Sequence, residues 1–143
     1  MRIVLDTNVL VSALISGKGS PGRLLAIVKR KNFTLVTSTY QIEELREVLS
    51  RDHLKQCILP GEAVDLLYTL ESVGVVVTEL PTVHLSPDPK DNPILATGIA
   101  GRADLIVSGD KTHLLDLGHA KGIQIVAPRE AVMRLQERPE TDK

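Results

Sequence analysis

The sequence predicts an α/β domain, a three-layer α/β/α fold with a mainly parallel five-stranded sheet. Short apolar segments alternate with segments of helical spacing along the chain. The strand segments are continuous apolar runs, which are typical of parallel strands covered on both faces. The hydrophobic fraction of 43% and the charged fraction of 24% are ordinary for one globular domain of 143 residues. We expect this domain over residues 1–136 and a flexible tail over residues 137–143.

Three strands and four helices are predicted in the first half of the chain. Glycine and proline in SGKGSPG end the first helix, and Ser20 before Pro21 begins the second. Ser38 and Gln41 have the spacing of a capping box at the start of the third helix. The predicted strands are residues 2–5, residues 33–36 and GVVVTEL, and the helices are residues 9–15, the segment from Ser20, TSTYQIEELREVLS and residues 60–72.

The second half of the chain begins with a proline-rich loop and then resumes the alternation. PTVHLSPDPKDNP holds four prolines in thirteen residues and cannot be regular structure for long. Asn92 followed by Pro93 predicts an N-cap with proline in the first helical turn. The remaining predicted elements are the helix ILATGIAGRA, the strand and turn DLIVSGD, a helix over residues 111–117, a strand over residues 123–126 and a helix over residues 128–136.

Acidic side chains fall where the predicted strands end and helices begin. Asp6 ends the first strand, Asp110 follows the fourth, and Asp91 directly precedes the helix after the proline-rich loop. Strand carboxyl ends and helix amino ends share one edge of a parallel sheet, where ligands bind. Glu44 lies within about two turns of the start of its helix, near that same edge.

Helical geometry separates Glu44 from the two other glutamates of its helix. At roughly 100° per residue, Glu44 flanks the apolar face, whereas Glu43 and Glu47 point further toward solvent. A helix cap is a sufficient explanation for Asp6 alone or Asp110 alone. It does not account for Glu44, so the set of acids needs another explanation.

A divalent cation would explain why several carboxylates gather at one edge. Two carboxylates about 4 Å apart repel by roughly 4 kcal/mol at an effective dielectric of 20. Bound metal offsets this repulsion. Ligand oxygens without cysteine favour a hard ion, so the sequence predicts Mg²⁺ or Mn²⁺.

Four segments, in order, resemble the PIN-domain nucleases, especially the small single-domain proteins grouped with the toxins of bacterial toxin–antitoxin pairs. They are IVLDTNVLVSAL, EELREVL, DPKDNPILATGIAGRA and DLIVSGDKTHLL. The resemblance covers about residues 2–127. Each motif is weak alone, but the four together with suitable spacing are specific.

The resemblance implies a role for individual residues. The metal-binding and catalytic acids would be Asp6, Glu44, Asp91 and Asp110, with Asp88 the alternative to Asp91 as the third acid. Many relatives carry an acid where this chain has Asn92. Asn8, two residues after the first acid, would orient that acid or contact the site.

The resemblance also implies an activity, a metal-dependent endoribonuclease. Cleavage by metal-activated water would leave 5′-phosphate and 3′-hydroxyl ends. Members commonly form homodimers, and the toxic ones are neutralised by an antitoxin protein. RNA, a second copy and an antitoxin are therefore the expected partners, and single-stranded or loop RNA the expected substrate.

Four basic residues are candidates for contact with the RNA backbone. Lys18 and Arg23 lie in and after the loop behind the first helix, and Lys90 and Lys111 flank the acids. Each would add non-specific, salt-sensitive affinity. Each is equally well explained as a solvated side chain, and the net charge of −1 does not by itself indicate a nucleic-acid partner.

Other classes of protein fit the sequence less well. One cysteine permits no internal disulfide and predicts a cytoplasmic, reducing setting, and no apolar run is long enough for a membrane span. The scarcity of aromatic residues argues against a surface of stacked aromatics, and a zinc site at His53 and Cys57 lacks further ligands. Two alternatives stay open, an aspartyl phosphoryl-transfer domain and a catalytically silent PIN fold that binds RNA or protein.

Overall fold

A computed structural model describes residues 1–30, 33–109 and 112–136. The strands are β1 (Arg2–Leu5), β2 (Thr34–Ser38), β3 (Val75–Val77), β4 (Leu105–Val107), β5 (His119–Ala120) and β6 (Ile123–Val126). The helices are α1 (Thr7–Ile15), α2 (Ser20–Arg30), α3 (Thr39–Leu49), α4 (Asp52–Lys55), α5 (Pro60–Ser72), α6 (Asn92–Ala100), α7 (Thr112–Leu117) and α8 (Pro128–Gln136). A single 3₁₀ turn, Pro89–Asp91, precedes α6.

One sheet with the strand order β3-β2-β1-β4-β6-β5 forms the middle layer. β1 lies at its centre, where Val4 pairs with Val36 of β2 on one side and with Ile106 of β4 on the other, both in parallel. β3 and β6 extend the parallel arrangement outward. The carboxyl ends of these strands therefore share one edge, as the sequence predicts.

The sheet has six strands, so the prediction of five is wrong. The additional strand is β5, which pairs antiparallel with β6 at one end of the sheet. Lys121 and Gly122 connect the two strands, and their φ angles of 53° and 83° are both positive. Such a two-residue turn matches the twist of a hairpin. Two residues are too few to show strand periodicity, which is why β5 escaped the sequence argument.

Alternate strand residues face two apolar layers. Ile3 and Leu5 pack into the larger core cluster with residues of α1, α2, α3, α5 and α8, whereas Val4 packs into a smaller one with Ile94, Leu95 and other residues. Helices therefore cover both faces, which confirms the three-layer α/β/α class. None of the helices in the described part of the chain is long and apolar enough to cross a membrane.

Helix α6 lies unusually close to the sheet because two glycines face it. A Cβ atom at Gly98 would lie 2.7 Å from Cδ1 of Ile106, and one at Gly101 would overlap the side chain of Val36. A side chain at Gly101 would collide with Val36, and one at Gly98 would force the Ile106 side chain to move, so the two glycines allow this close packing on the sheet. The carboxyl-terminal end of α6 is therefore packed closely on the sheet.

Two local predictions need correction. The short helix α4 was not predicted, since four residues are too few for a recognisable apolar period. Asn92 is not the N-cap of α6, which begins at Asn92 itself with Asp91 in the cap position. The side chain of Asn92 instead accepts hydrogen bonds from the backbone N–H groups of Leu85 and Ser86, at 3.2 and 3.0 Å.

Candidate active site

Buried polar side chains gather at the carboxyl edge of the sheet. They end a strand, begin a helix, or lie in or against the segments that cover this edge. The members of this polar edge are Asp6, Thr7, Thr37, Ser38, Gln41, Ser86, Asp91, Thr97 and Ser108. A buried polar group costs about 1–3 kcal/mol when it lacks a hydrogen bond. Such a concentration at one edge marks the first place to look for a function.

Asp6 is the centre of the polar edge and is only 1% exposed. It caps α1, because its Oδ1 accepts a hydrogen bond from the backbone N–H of Thr7 at 2.7 Å, which confirms the cap expected from the sequence. Its Oδ2 accepts from the hydroxyl of Ser108, just after β4, at 3.0 Å. Both carboxylate oxygens are thus held in place by donors from two different strand ends.

Glu44 reaches the same edge from α3. Its Oε1 accepts a hydrogen bond from the hydroxyl of Thr7 at 2.6 Å, and its side chain is half-buried. Glu43 is exposed, and Glu47 forms an exposed ion pair with Arg51 at 3.0 Å. The separation of the three glutamates therefore follows the helical geometry expected from the sequence.

Asp91 is the more buried of the two candidates for the third acid. It is 2% exposed, and its Oδ2 accepts a hydrogen bond from the hydroxyl of Ser86 at 3.0 Å. Asp88 is half-buried and caps the 3₁₀ turn, where its Oδ1 accepts from the backbone N–H of Lys90 at 3.0 Å. The Asp88 carboxylate thus caps the turn, whereas the Asp91 carboxylate makes no cap bond to α6 and binds the hydroxyl of Ser86.

Gln41 is a buried member of the edge that the sequence argument treated only as a helix signal. The predicted cap is present, since the hydroxyl of Ser38 accepts from the backbone N–H of Gln41 at 3.1 Å. The Gln41 amide, however, donates to the carbonyl of Leu5, and its Oε1 accepts from the hydroxyl of Thr37 at 2.9 Å. It therefore joins the ends of β1 and β2 beneath the acids.

A narrow cleft, called the acidic cleft below, opens above these contacts. Its lining residues are Asp6, Tyr40, Gln41, Glu44, Lys90, Pro93, Ile94 and Thr97. The interior holds only about 10 Å³, which is room for about one water molecule. The cleft therefore brings Asp6 and Glu44 together with one of the predicted basic residues, Lys90.

The other described basic candidates lie elsewhere. Lys18 and Arg23 are exposed, and α1 separates Lys18 from Asp6 by roughly 14 Å at 1.5 Å per residue. Asn8 is exposed at the second position of α1. The roles of these residues stay predictions.

Comparison with known proteins identifies the family. A family model described as the PIN domain matches residues 2–112. The chain belongs to the PIN-domain family. A similar protein is the uncharacterized protein MJ1680 of Methanocaldococcus jannaschii, which is 28% identical over 112 residues, or 78% of this chain and 72% of that protein. The resemblance drawn from the sequence motifs is therefore confirmed.

Membership of the PIN-domain family identifies a nuclease-type fold. PIN domains are generally nucleases that use divalent metal ions, and the chemistry of the polar edge agrees with such an ion. The acids Asp6, Glu44 and Asp91 offer only oxygen atoms, which are the ligands that Mg²⁺ and Mn²⁺ prefer. In Asp6 and Asp91, neighbouring hydroxyl or N–H donors orient the carboxylates, as metal ligands require.

One predicted ligand cannot be placed. Asp110 and Lys111 lie outside the described residues. Within the described ranges, no three histidine, cysteine, aspartate or glutamate side chains form a group that could hold a metal ion. His53 and Cys57 belong to no such group within the described residues. The thiol of Cys57 donates to the backbone carbonyl of His53 at 3.4 Å.

The hydroxyl groups that donate hydrogen bonds to the acids were not predicted from the sequence. Thr7 and Ser108 stand inside the two motifs DTN and SGD, so their position beside an acid was the available signal. Ser86 gave no such signal, because it lies in an irregular loop five residues before Asp91.

Proposed function

We propose that this protein is a metal-dependent endoribonuclease that hydrolyses RNA phosphodiesters to 5′-phosphate and 3′-hydroxyl ends. The observation that carries the proposal is the pair of buried aspartates, Asp6 and Asp91, at the same sheet edge as Glu44. Burial of carboxylates is costly unless they are paired, hydrogen-bonded or bound to metal. Membership of the PIN-domain family supports a nuclease.

The side chains of the edge have distinct parts in this proposal. Asp6 and Asp91, with Asp110 from the sequence, would hold Mg²⁺ or Mn²⁺, and Glu44 would hold a second ion or position the attacking water. A bound ion would activate the water and neutralise charge that develops on the phosphate. Lys90, which lines the acidic cleft, would attract the RNA backbone. Thr7 and Ser108 would keep the carboxylates oriented.

A cleavage assay on mixed single-stranded RNAs tests the proposal. The parent protein is incubated with Mg²⁺, with Mn²⁺ or with EDTA, beside the variants Asp6→Asn and Glu47→Gln. We expect metal-dependent cleavage by the parent and a rate lower by roughly 10³-fold in Asp6→Asn. Glu47→Gln is the matched control, since Glu47 is exposed and paired with Arg51. Circular dichroism establishes that each variant is folded.

Product ends and metal affinity sharpen the result. Products with 5′-phosphate and 3′-hydroxyl ends are ligated without prior enzymatic treatment, whereas a cyclic phosphate would contradict the proposed attack by water. Equal rates in Asp6→Asn and parent would refute the assignment of the site. Mn²⁺ binding without cleavage of any RNA would favour a binding-only PIN fold, and phosphate release from p-nitrophenyl phosphate a phosphoryl-transfer domain.

The proposal extends to a toxin role, on the basis of the motif resemblance to toxin-type PIN proteins. Induced expression in a bacterial host should then arrest growth with the parent but not with Asp6→Asn. We propose a homodimer as the working form, which light scattering would measure, and an antitoxin as protein partner. Normal growth with the active parent would remove the toxin role and leave the nuclease proposal intact.

A further inference from the structure

A second cleft, called the apolar cleft below, adjoins the acidic cleft and is far larger. Its volume is about 360 Å³, which lies within the range of small-molecule sites. Residues from α3, from the loop after β3 and from α6 line it, among them Tyr40, Val83, His84, Pro93 and Ala96. None of its lining residues, all within the described chain, is an acid.

The two clefts adjoin at Tyr40 and Pro93, which line both. The acidic cleft holds only about 10 Å³, so a phosphate beside Asp6 and Glu44 would lie at the mouth of that cleft, and the base of the same nucleotide could not enter it. The base must lie outside it. The apolar cleft is the adjacent space that is large enough.

Tyr40 offers the aromatic surface that a base would need. It is the second residue of α3 and is 51% exposed, although it lies between two clefts. Bases stack on aromatic side chains regardless of sequence, because every base has a π-face. One tyrosine suffices for one base, so the low aromatic content of the chain does not oppose this role.

The part of the apolar cleft formed by the loop after β3 is held in place before any ligand binds. The loop after β3 carries Val83 and His84, and Val83 packs against the smaller core cluster. The Asn92 side chain fixes the next two residues, Leu85 and Ser86, through their backbone N–H groups. A preformed wall lowers the ordering cost of binding.

We propose that the apolar cleft receives a nucleobase adjacent to the scissile phosphate and that Tyr40 is its stacking surface. The inference rests on the proposed ribonuclease activity and names the part of the substrate that the neighbouring cleft binds. A base within a duplex is stacked on both sides and paired, so it enters the cleft only after costly extrusion. The cleft therefore selects single-stranded or loop RNA.

The experiment combines a change in the protein with a change in the RNA. A single-stranded oligonucleotide with one mapped cleavage position is compared with versions that are abasic on either side of that position, and with its duplex. The proteins are the parent, Tyr40→Ala, Tyr40→Phe and Tyr68→Ala. Tyr68 is the matched control, since it is the other tyrosine of the chain, is 70% exposed and lies on α5.

Loss of the Tyr40 ring should weaken RNA binding. We expect KM for single-stranded RNA to rise by about five- to thirtyfold in Tyr40→Ala, and to change less than about twofold in Tyr40→Phe and Tyr68→Ala. One of the two abasic RNAs should show a similar loss with the parent. With that RNA, Tyr40→Ala should add little further loss, because the same contact is already absent.

The outcomes separate this inference from the proposed function. If the parent cleaves RNA and Tyr40→Ala has an unchanged KM, the base site is refuted while the nuclease stands. Fully additive losses from Tyr40→Ala and the abasic RNAs would also refute it and would assign Tyr40 to another contact with the RNA, such as one with a ribose. A parent that neither binds nor cleaves RNA refutes both.

Discussion

Two aspartates beside strand ends show how the two edges of the sheet differ. Asp104 precedes β4 at the amino edge, where its exposed carboxylate accepts a hydrogen bond from the backbone N–H of Arg2 at 2.8 Å. Asp6 follows β1 at the carboxyl edge and makes the same kind of contact with Thr7, but it is 1% exposed. A carboxylate can accept a hydrogen bond from a backbone N–H at the end of a strand without being buried. Burial of Asp6 is therefore not a requirement of its contact with Thr7, and it agrees with the proposed role of Asp6 in the site.

This difference divides the molecule into a part that stabilises the fold and the polar edge, to which we assign the proposed chemistry. The apolar layers on both faces bury aliphatic side chains, and burial of such surface is the main favourable term in folding. The polar edge contributes oriented carboxylates and hydroxyls instead. Substitutions in the two parts should consequently affect different measurements.

After Asp6, the largest expected effect on activity is at Asp91. Asp91→Asn should lower the cleavage rate by roughly 10²- to 10³-fold, because it removes a proposed metal ligand. Asp88→Asn is the matched control and should change the rate less than about threefold, since the Asp88 carboxylate caps the 3₁₀ turn. Single-turnover cleavage of RNA in Mn²⁺ measures both. A larger loss in Asp88→Asn would make Asp88 the third acid.

A substitution in the apolar core should have the opposite result, with a large loss of stability and an unchanged cleavage rate. Leu24 on α2 is fully buried, and Leu24→Ala should lower the free energy of unfolding by about 2–5 kcal/mol. Urea denaturation measures this change. The cleavage rate of the folded variant at low temperature should match that of the parent. A proportionate loss of activity in the folded protein would show that the two parts are not separate.

A substitution at Ser108 tests whether the hydroxyl groups of the polar edge affect metal binding and activity or only the stability of the fold. Ser108→Ala removes a donor to Asp6 and should weaken Mn²⁺ binding or activity by about tenfold. Isothermal calorimetry with Mn²⁺ measures the affinity. Ser50→Ala is the control, because the hydroxyl of Ser50 is exposed and donates to a backbone carbonyl within its own helix end. Unchanged Mn²⁺ affinity and activity in Ser108→Ala would leave Ser108 a structural role.

The smallest effect is expected at the lysines. Lys90 lines the acidic cleft, so Lys90→Gln should reduce the slope of log affinity against log salt concentration by about one. Lys18→Gln should leave that slope unchanged, because α1 separates Lys18 from Asp6. Fluorescence anisotropy of labelled RNA over a range of salt concentrations gives both slopes. Equal slopes for the two variants would remove the distinction between the lysines.

The sequence was sufficient for the central strands and for the proximity of Asp6 and Glu44, which line the same cleft. A continuous apolar run identifies a buried parallel strand, and topology then places whatever follows it at the carboxyl edge. Asp6 and Glu44 could be placed together for this reason. The hydrogen bonds between the acids and their donors could not be predicted. Asp6 and Ser108, for example, are 102 residues apart and meet only in the folded sheet.

Irregular segments were harder to predict for a related reason. The role of Asn92 depends on where the loop after β3 passes, and no periodicity describes that path. The strand β5 depends on a turn with positive φ at Lys121, which lysine rarely adopts. Both features are set by the folded environment rather than by local preference.

Gly101, directly after α6, has a consequence for how the cleavage rate could change. Gly101 lies ten residues from Asp91, or roughly 15 Å along the helix. A methyl group at Gly101 would collide with Val36 and push the end of α6 away from the sheet. Because a helix is stiff, Asp91 at its other end would change its orientation. A displacement of about 1 Å at a reacting centre can cost 10²-fold in rate. If the protein is the proposed nuclease, a substitution at Gly101 should therefore lower its cleavage rate although Gly101 is not one of the proposed site residues.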